Sequence, residues 1–314
     1  MKRLTHYQAC LVLLASMGIS VSSLLHANAA QGEETSTDVP PVTSADLAQA
    51  STDADGALTE GINLVTQGEI EAAIVAFERA VALDPSSAAA HYNLGLALRQ
   101  TEQLQAAATE FWQATQADPT FALAYVNLGA ALMEGDNLEQ AEGYLNRAAE
   151  LAPELGLAQY NLGLLYRRKG DRPAAFTAFN QAVSYSPAAP EPHYYIGLMY
   201  QEQGEYGLAK QAFEQAIALD KNYPEAYYNL GVTLVQQGNA ETAIGEFDRA
   251  LALLPTFGHA YYAQGLALAD LQRYDEAKAQ LQAAINLYVS QDNAQWANLA
   301  QRQIDHIESL QANP

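Results

Sequence analysis

Residues 156–189 read GLAQYNLGLLYRRKGDRPAAFTAFNQAVSYSPAA. In the first half, GLAQYNLGLLYRRKG, apolar residues recur every three or four positions, the spacing that gathers them on one face of a helix. Gly170-Asp171 interrupts the pattern. It resumes at Pro173, suited to a first helical turn, and stops at Pro187, which cannot continue a helix. The stretch therefore predicts a helical hairpin. Gly163 and Ala175 are small because the two helices cross closely there, and Leu162, Tyr166 and Phe179 fill the space around the crossing. A bulkier residue at Gly163 is expected to overpack it, at about 1–3 kcal/mol.

Outward from this hairpin the same register returns in both directions. Gly61, Gly95, Gly129, Gly163, Gly197, Gly231 and Gly265 stand 34 residues apart. Alanines follow at fixed offsets, from Ala73 to Ala277 and from Ala80 to Ala284. Identical units in unbroken register stack, bury their core between neighbours and present one continuous surface, which suits a binding scaffold rather than an enzyme.

The pattern Leu-Gly, then Tyr or Leu, then Ala, Phe, Ala and Pro resembles the tetratricopeptide repeat over residues 54 to about 289. The resemblance implies an all-α fold, a right-handed superhelical solenoid of helix-turn-helix hairpins, with repeats at 54–87, 88–121, 122–155, 156–189, 190–223, 224–257 and 258–290. Departures are local. Glu60 and Gln264 stand where Leu is expected, Leu145 and Leu281 replace Phe, and Lys221 and Val289 replace the closing Pro. After the last repeat, residues 291–314 carry Trp296, Leu299, Ile304, Ile307 and Leu310 on one stripe, as a C-terminal capping helix needs, with Trp296 packed in the seam.

Apolar residues make up 49% of the chain and charged residues only 16%, below the usual share of about 25%. The net charge of −21 disfavours nucleic acid and anionic lipid as partners, since both demand basic patches. At the N-terminus Lys2 and Arg3 precede ACLVLLASMGISVSSLL, followed by Ala27-Asn28-Ala29, a small-x-small cleavage pattern. Residues 1–29 thus resemble a secretory signal peptide, and the protein is expected to be periplasmic or secreted after cleavage near Ala29. An uncleaved N-terminal membrane anchor is the alternative. Cys10 lies at the front of this stretch rather than behind it, the wrong place for a lipid attachment. Without the leader no cysteine remains, which removes disulfides and thiolate chemistry. Residues 30–53, acidic and bearing Pro and Thr without periodicity, are expected to be a disordered linker.

No catalytic constellation, cofactor motif or metal-ligand spacing emerges, so neither enzyme activity nor a cofactor is expected. His91 and His193 hold the fourth position of their units, where packing is expected, and no second ligand recurs at helical spacing beside any histidine.

In the family that the chain resembles, the first helix of each unit lines a concave groove. Its fifth position here reads Leu58, Tyr92, Val126, Tyr160, Tyr194, Tyr228 and Tyr262, and its sixth gives Asn93, Asn127, Asn161 and Asn229, with Tyr195 in unit five. Regularly spaced groove asparagines in such arrays hydrogen-bond the backbone of an extended peptide. An amide both donates and accepts, so it matches a peptide group without reading sequence, and tyrosine adds rigid apolar area with a polar tip. Tyr-Asn is also the commonest choice of the family here, so consensus packing is the alternative. Arg167, Arg168, Lys169 and Arg172 cluster at the end of one first helix. The helix dipole alone would favour cations there; the alternative is a docking point for a partner carboxylate, with Arg167 facing the groove.

These features predict a non-catalytic scaffold binding a peptide or protein, assisting assembly of an envelope or secreted complex. An accessory substrate-selecting subunit and a membrane-tethered structural assembly factor are the other readings.

Overall fold

The computed structural model describes residues 44–312. The secondary structure among them is entirely helical, in fifteen α-helices. The described residues form two compact units, 44–186 and 187–312.

The first unit holds four hairpins: α1 (Ser44–Gln67) with α2 (Ile70–Leu83), α3 (Ala88–Gln100) with α4 (Leu104–Ala117), α5 (Ala122–Glu134) with α6 (Leu138–Leu151), and α7 (Gly156–Lys169) with α8 (Arg172–Tyr185). The second holds α9 (Pro190–Glu202) with α10 (Tyr206–Leu219), α11 (Pro224–Gln236) with α12 (Ala240–Leu253), α13 (Gly258–Asp270) with α14 (Tyr274–Ser290), and a last helix, α15 (Ala294–Ala312).

The crossings explain the periodic glycines. A Cβ at Gly163 would lie 2.5 Å from Phe179 Cδ1, and one at Gly95 would lie 2.7 Å from Phe111 Cε1. Where leucine replaces phenylalanine the fit is as tight, with Gly129 and Gly265 against Leu145 and Leu281 at 2.6 and 2.8 Å. Neither ring nor branched side chain has room to retreat, because each is fully buried.

Within the hairpins a left-handed residue turns the chain between helices. Glycine fills this position at Gly68, Gly170, Gly204 and Gly238, with φ of 77–82°. Glu102, Asp136 and Gln272 occupy the same position elsewhere, with φ of 61–62°. Between hairpins a short polar turn forms: the Asp118 carboxylate accepts hydrogen bonds from the Thr120 hydroxyl and amide. Those bonds hold its pKa below the usual range.

Two expectations need correction. The linker expected to be disordered to residue 53 is helical from Ser44, as the start of α1. Pro40 and Pro41 are the last helix breakers before it, and SADLAQAST beyond them is rich in helix-tolerant residues. On α15, Leu310 remains 38% exposed, while Ala297, Ala300, Gln303, Ile304 and Ile307 make the buried side. Trp296 packs on the preceding hairpin, against His259 at 4.7 Å and Tyr262 at 5.8 Å between ring centroids. The expected signal peptide and residues 30–43 of the expected linker lie outside the described residues. Among the described residues no helix is long and apolar enough to cross a membrane.

Candidate protein-binding face

The first helix of each hairpin carries the candidate residues, because its far side holds the leucine and glycine of the crossing. Residues three or four apart share a helix face, so Tyr160, Leu164 and Arg167 on α7 form one row and Leu157, Asn161 and Leu164 another.

The structure divides the asparagine row in two. Asn127 is buried, and its side-chain nitrogen donates to the Leu123 carbonyl at 3.0 Å and to the Tyr92 hydroxyl at 3.2 Å. Its Oδ1 accepts from Arg99 Nη1 at 3.5 Å, while Arg99 Nη2 pairs with Glu134 at 2.7 Å. In the second unit Asn229 repeats the arrangement, donating to the Glu225 carbonyl at 2.9 Å and to the Tyr194 hydroxyl at 3.1 Å. Only the nitrogen can donate to a carbonyl, which fixes the amide orientation. Both donors of Asn127 and Asn229 are thus committed within the chain.

Asn93 and Asn161 differ. Each donates to a carbonyl four residues back, Ala89 or Leu157, at 2.8 Å. The position 35 residues earlier, which holds Tyr92 for Asn127, is Leu58 for Asn93 and Val126 for Asn161, and neither offers a hydroxyl. One N–H and the carbonyl oxygen of each amide make no bond among the described residues; Asn93 is half-buried, and Asn161 is 8% exposed, as Asn127 is.

The tyrosines divide likewise. Tyr92, Tyr160 and Tyr194 are half-buried, each with its ring against the crossing phenylalanine: Phe111 at 5.9 Å, Phe179 at 6.1 Å and Phe213 at 5.8 Å. Burial raises the Tyr92 pKa, partly offset by the bond from Asn127. Tyr228 and Tyr262 are enclosed. Tyr228 is buried between Phe247 and Phe257, and its pKa is pushed up by that burial; Tyr262 is fully buried, with the Trp296 ring set edge-on to it.

Reading only the fifth and sixth positions missed an apolar set. Ile62 (44% exposed), Val65, Leu96 and Leu157 are open to solvent on the first helices of the first unit. Leu96 follows Asn93 by three residues and Leu157 precedes Asn161 by four, so the aliphatic groups flank the two available amides. The signal lay in apolar residues that fall off the crossing stripe.

The basic cluster is largely internal. Arg168 donates to the Met133 carbonyl at the end of α5 and pairs with Asp136 at 2.9 Å, and Lys169 pairs with Glu142 at 2.6 Å. Arg167 is half-exposed.

The histidines are packing groups. His91 sits between the Glu110 carboxylate at 2.6 Å and the Pro85 carbonyl at 3.1 Å. His193 is half-buried, which lowers its pKa. His259 lies 2.8 Å from the Tyr288 hydroxyl, and burial pushes its pKa down to about 4. Among the described residues no three His, Cys, Asp or Glu side chains gather as a metal site would require.

Tetratricopeptide repeat models match residues 58–120, 120–188, 197–238, 224–257 and 258–288. The chain belongs to the tetratricopeptide repeat family. Tetratricopeptide arrays are protein-interaction scaffolds, generally without catalysis of their own. Among curated proteins none matches the sequence. Solved structures share the fold. A tetratricopeptide repeat protein from Parabacteroides merdae is 16% identical, with 80% of this chain and 99% of that one covered and a TM-score of 0.61. PilF of Pseudomonas aeruginosa is 22% identical over 66% of this chain and 94% of its own, at a TM-score of 0.59. YrrB, described as a tetratricopeptide protein with an unusual peptide-binding site, is 24% identical over 61% and 97%, at 0.50.

Proposed function

We propose that this tetratricopeptide array is an exported, non-catalytic scaffold that binds an extended segment of a protein partner along the first helices of residues 54–186. The observation that carries the reading is the pairing of amides that keep one uncommitted N–H with exposed aliphatic groups: half-buried Asn93 beside Leu96, and Asn161, 8% exposed, beside Leu157. An extended backbone would satisfy the amides, while its alternate side chains would cover the aliphatic groups. Peptide binding by YrrB supports the general mode. The exported compartment rests on the charged, apolar and small-x-small order of the N-terminal sequence, and a role in assembling an envelope or secreted complex follows from that compartment.

The test is calorimetry of the full chain with the segment mapped from a captured partner. Asn161→Ala is expected to weaken binding about three- to tenfold, the worth of one net hydrogen bond, and Leu157→Ser to weaken it further, with helicity unchanged. Affinity unmoved by both substitutions would remove the reading.

A further inference from the structure

Between α6, α7 and α8 lies an open cleft of about 460 Å³, a size usual for a small ligand. Gln159, Leu162 and Tyr166 reach it from one side of α7, three and four residues apart, and not from the row of Tyr160, Leu164 and Arg167. Leu162, Pro173, Ala174 and Ala178 give it an apolar lining, and the carboxamides of Asn146, Gln159 and Gln181 stand among them. Among the described residues that line the cleft none is charged, in a chain of net charge −21. Gln159 and Gln181 form no hydrogen bond among the described residues, and Gln181 is exposed. Asn146 is set in place by Tyr166, whose hydroxyl is hydrogen-bonded both to it and to Glu142. A carboxylate can only accept, so the hydroxyl gives its proton to Glu142 and accepts from the Asn146 nitrogen. Lys169 pairs with Glu142 at 2.6 Å and balances its charge.

We propose that this cleft binds a neutral oligosaccharide. Each sugar hydroxyl both donates and accepts, and each carboxamide offers the same pair in fixed geometry, so the three amides can hold several hydroxyls at once. With no charged group in the lining, nothing there selects an ionic ligand and no charge has to be stripped of water. The sugar's C–H groups would cover Leu162, Ala174 and Ala178. An extended peptide would instead need pockets for its alternate side chains, which alanine and proline do not form. In the second unit the same positions are altered. Tyr200, Leu208, Ala212 and Gln215 stand 34 residues beyond Tyr166, Ala174, Ala178 and Gln181, and the cleft they line is about 340 Å³, with Glu214 in its wall. Leucine narrows that cleft and a carboxylate enters it, so the saccharide site belongs to the first unit. It shares no side chain with the face of Asn93 and Asn161, and the two proposals stand or fall separately.

The test is NMR of the nitrogen-labelled full chain, titrated to millimolar concentration with three neutral tetrasaccharides: maltotetraose, cellotetraose and tetra-N-acetylchitotetraose. At least one is expected to shift the side-chain amide signals of Gln159 and Gln181 while leaving that of Gln215 in place. Gln159→Ala with Gln181→Ala is expected to weaken this binding by about tenfold or more, the worth of two net hydrogen bonds. As a second variant, Ala174→Leu introduces the residue that the fold already carries at Leu208, one repeat later. It is expected to abolish binding by narrowing the cleft. Signals unmoved by all three sugars, shifts that survive both variants, or shifts given by N-acetylated, amidated tetra-alanine and not by the sugars would each overturn the proposal.

Discussion

The side-chain nitrogen of Asn127 lies 3.2 Å from the hydroxyl of Tyr92, one repeat earlier. This bond ties α5 to α3, and Asn229 ties α11 to α9 through Tyr194 in the same way, also 35 residues apart. An array whose repeats touch only their neighbours gathers stability at such junctions. Asn127→Ala is therefore expected to cost about 1 kcal/mol of stability while leaving partner affinity within twofold, the reverse of Asn161→Ala. Tyr92→Phe should cost a similar amount, and urea unfolding of the double variant should show the two losses to be less than additive. Additive losses would mean that the pair does not couple.

Gln264 occupies the position that leucine holds at Leu94, Leu128, Leu162 and Leu230. It is buried at 2% exposure, its amide nitrogen donates to Asp248 at 2.6 Å, and its Oε1 has no partner. Asp248 is exposed and can be solvated without it. Gln264→Leu is expected to stabilise the second unit by about 1–2 kcal/mol, since a buried orphan acceptor costs that much. A lower urea midpoint would contradict this.

The fold was legible because its determinants are local and periodic: Gly163 and Phe179 meet at a spacing that every unit repeats. The binding face was legible only by residue type. Tyr92 and Tyr262 hold the same position, yet Tyr262 is enclosed, with Trp296 of α15 packed on it, a neighbour that no repeat pattern specifies. Asn127 and Asn161 look alike within their own repeats and differ through the residue one repeat back, Tyr92 or Val126. Comparing positions across a 35-residue step would have separated them.

The left-handed turn position gives a third prediction. Gln272 holds φ of 61° where Gly68, Gly170, Gly204 and Gly238 serve elsewhere. A side chain in that region costs roughly 1–2 kcal/mol, part of which glycine returns as lost chain entropy. Gln272→Gly is expected to raise stability by about 1 kcal/mol, and Gly170→Ala to lower it by a similar amount. Thermal unfolding that ranks the two the other way would be inconsistent with turn strain.

The fourth concerns acid. His259 is enclosed by Tyr288 and Trp296 and has its pKa pushed down to about 4, against an ordinary value of 6.5. The folded chain keeps it neutral, with its Nδ1 2.8 Å from the Tyr288 hydroxyl. Between these two values the unfolded chain binds a proton that the folded chain refuses, so stability falls as pH drops from about 6.5 towards 4. The loss amounts to about 3 kcal/mol at most. His259→Gln should flatten this part of the profile while lowering stability at neutral pH, because the ring's packing against Trp296 is lost. Urea midpoints measured from pH 7 to 4 on both chains separate this group from the carboxylates. Glu276, held below its ordinary pKa by Arg273, loses its contribution as pH falls through the carboxylate range, and equally in both chains. Parallel profiles would mean that His259 takes up its proton over the same pH range in the folded and unfolded chains, without the shift.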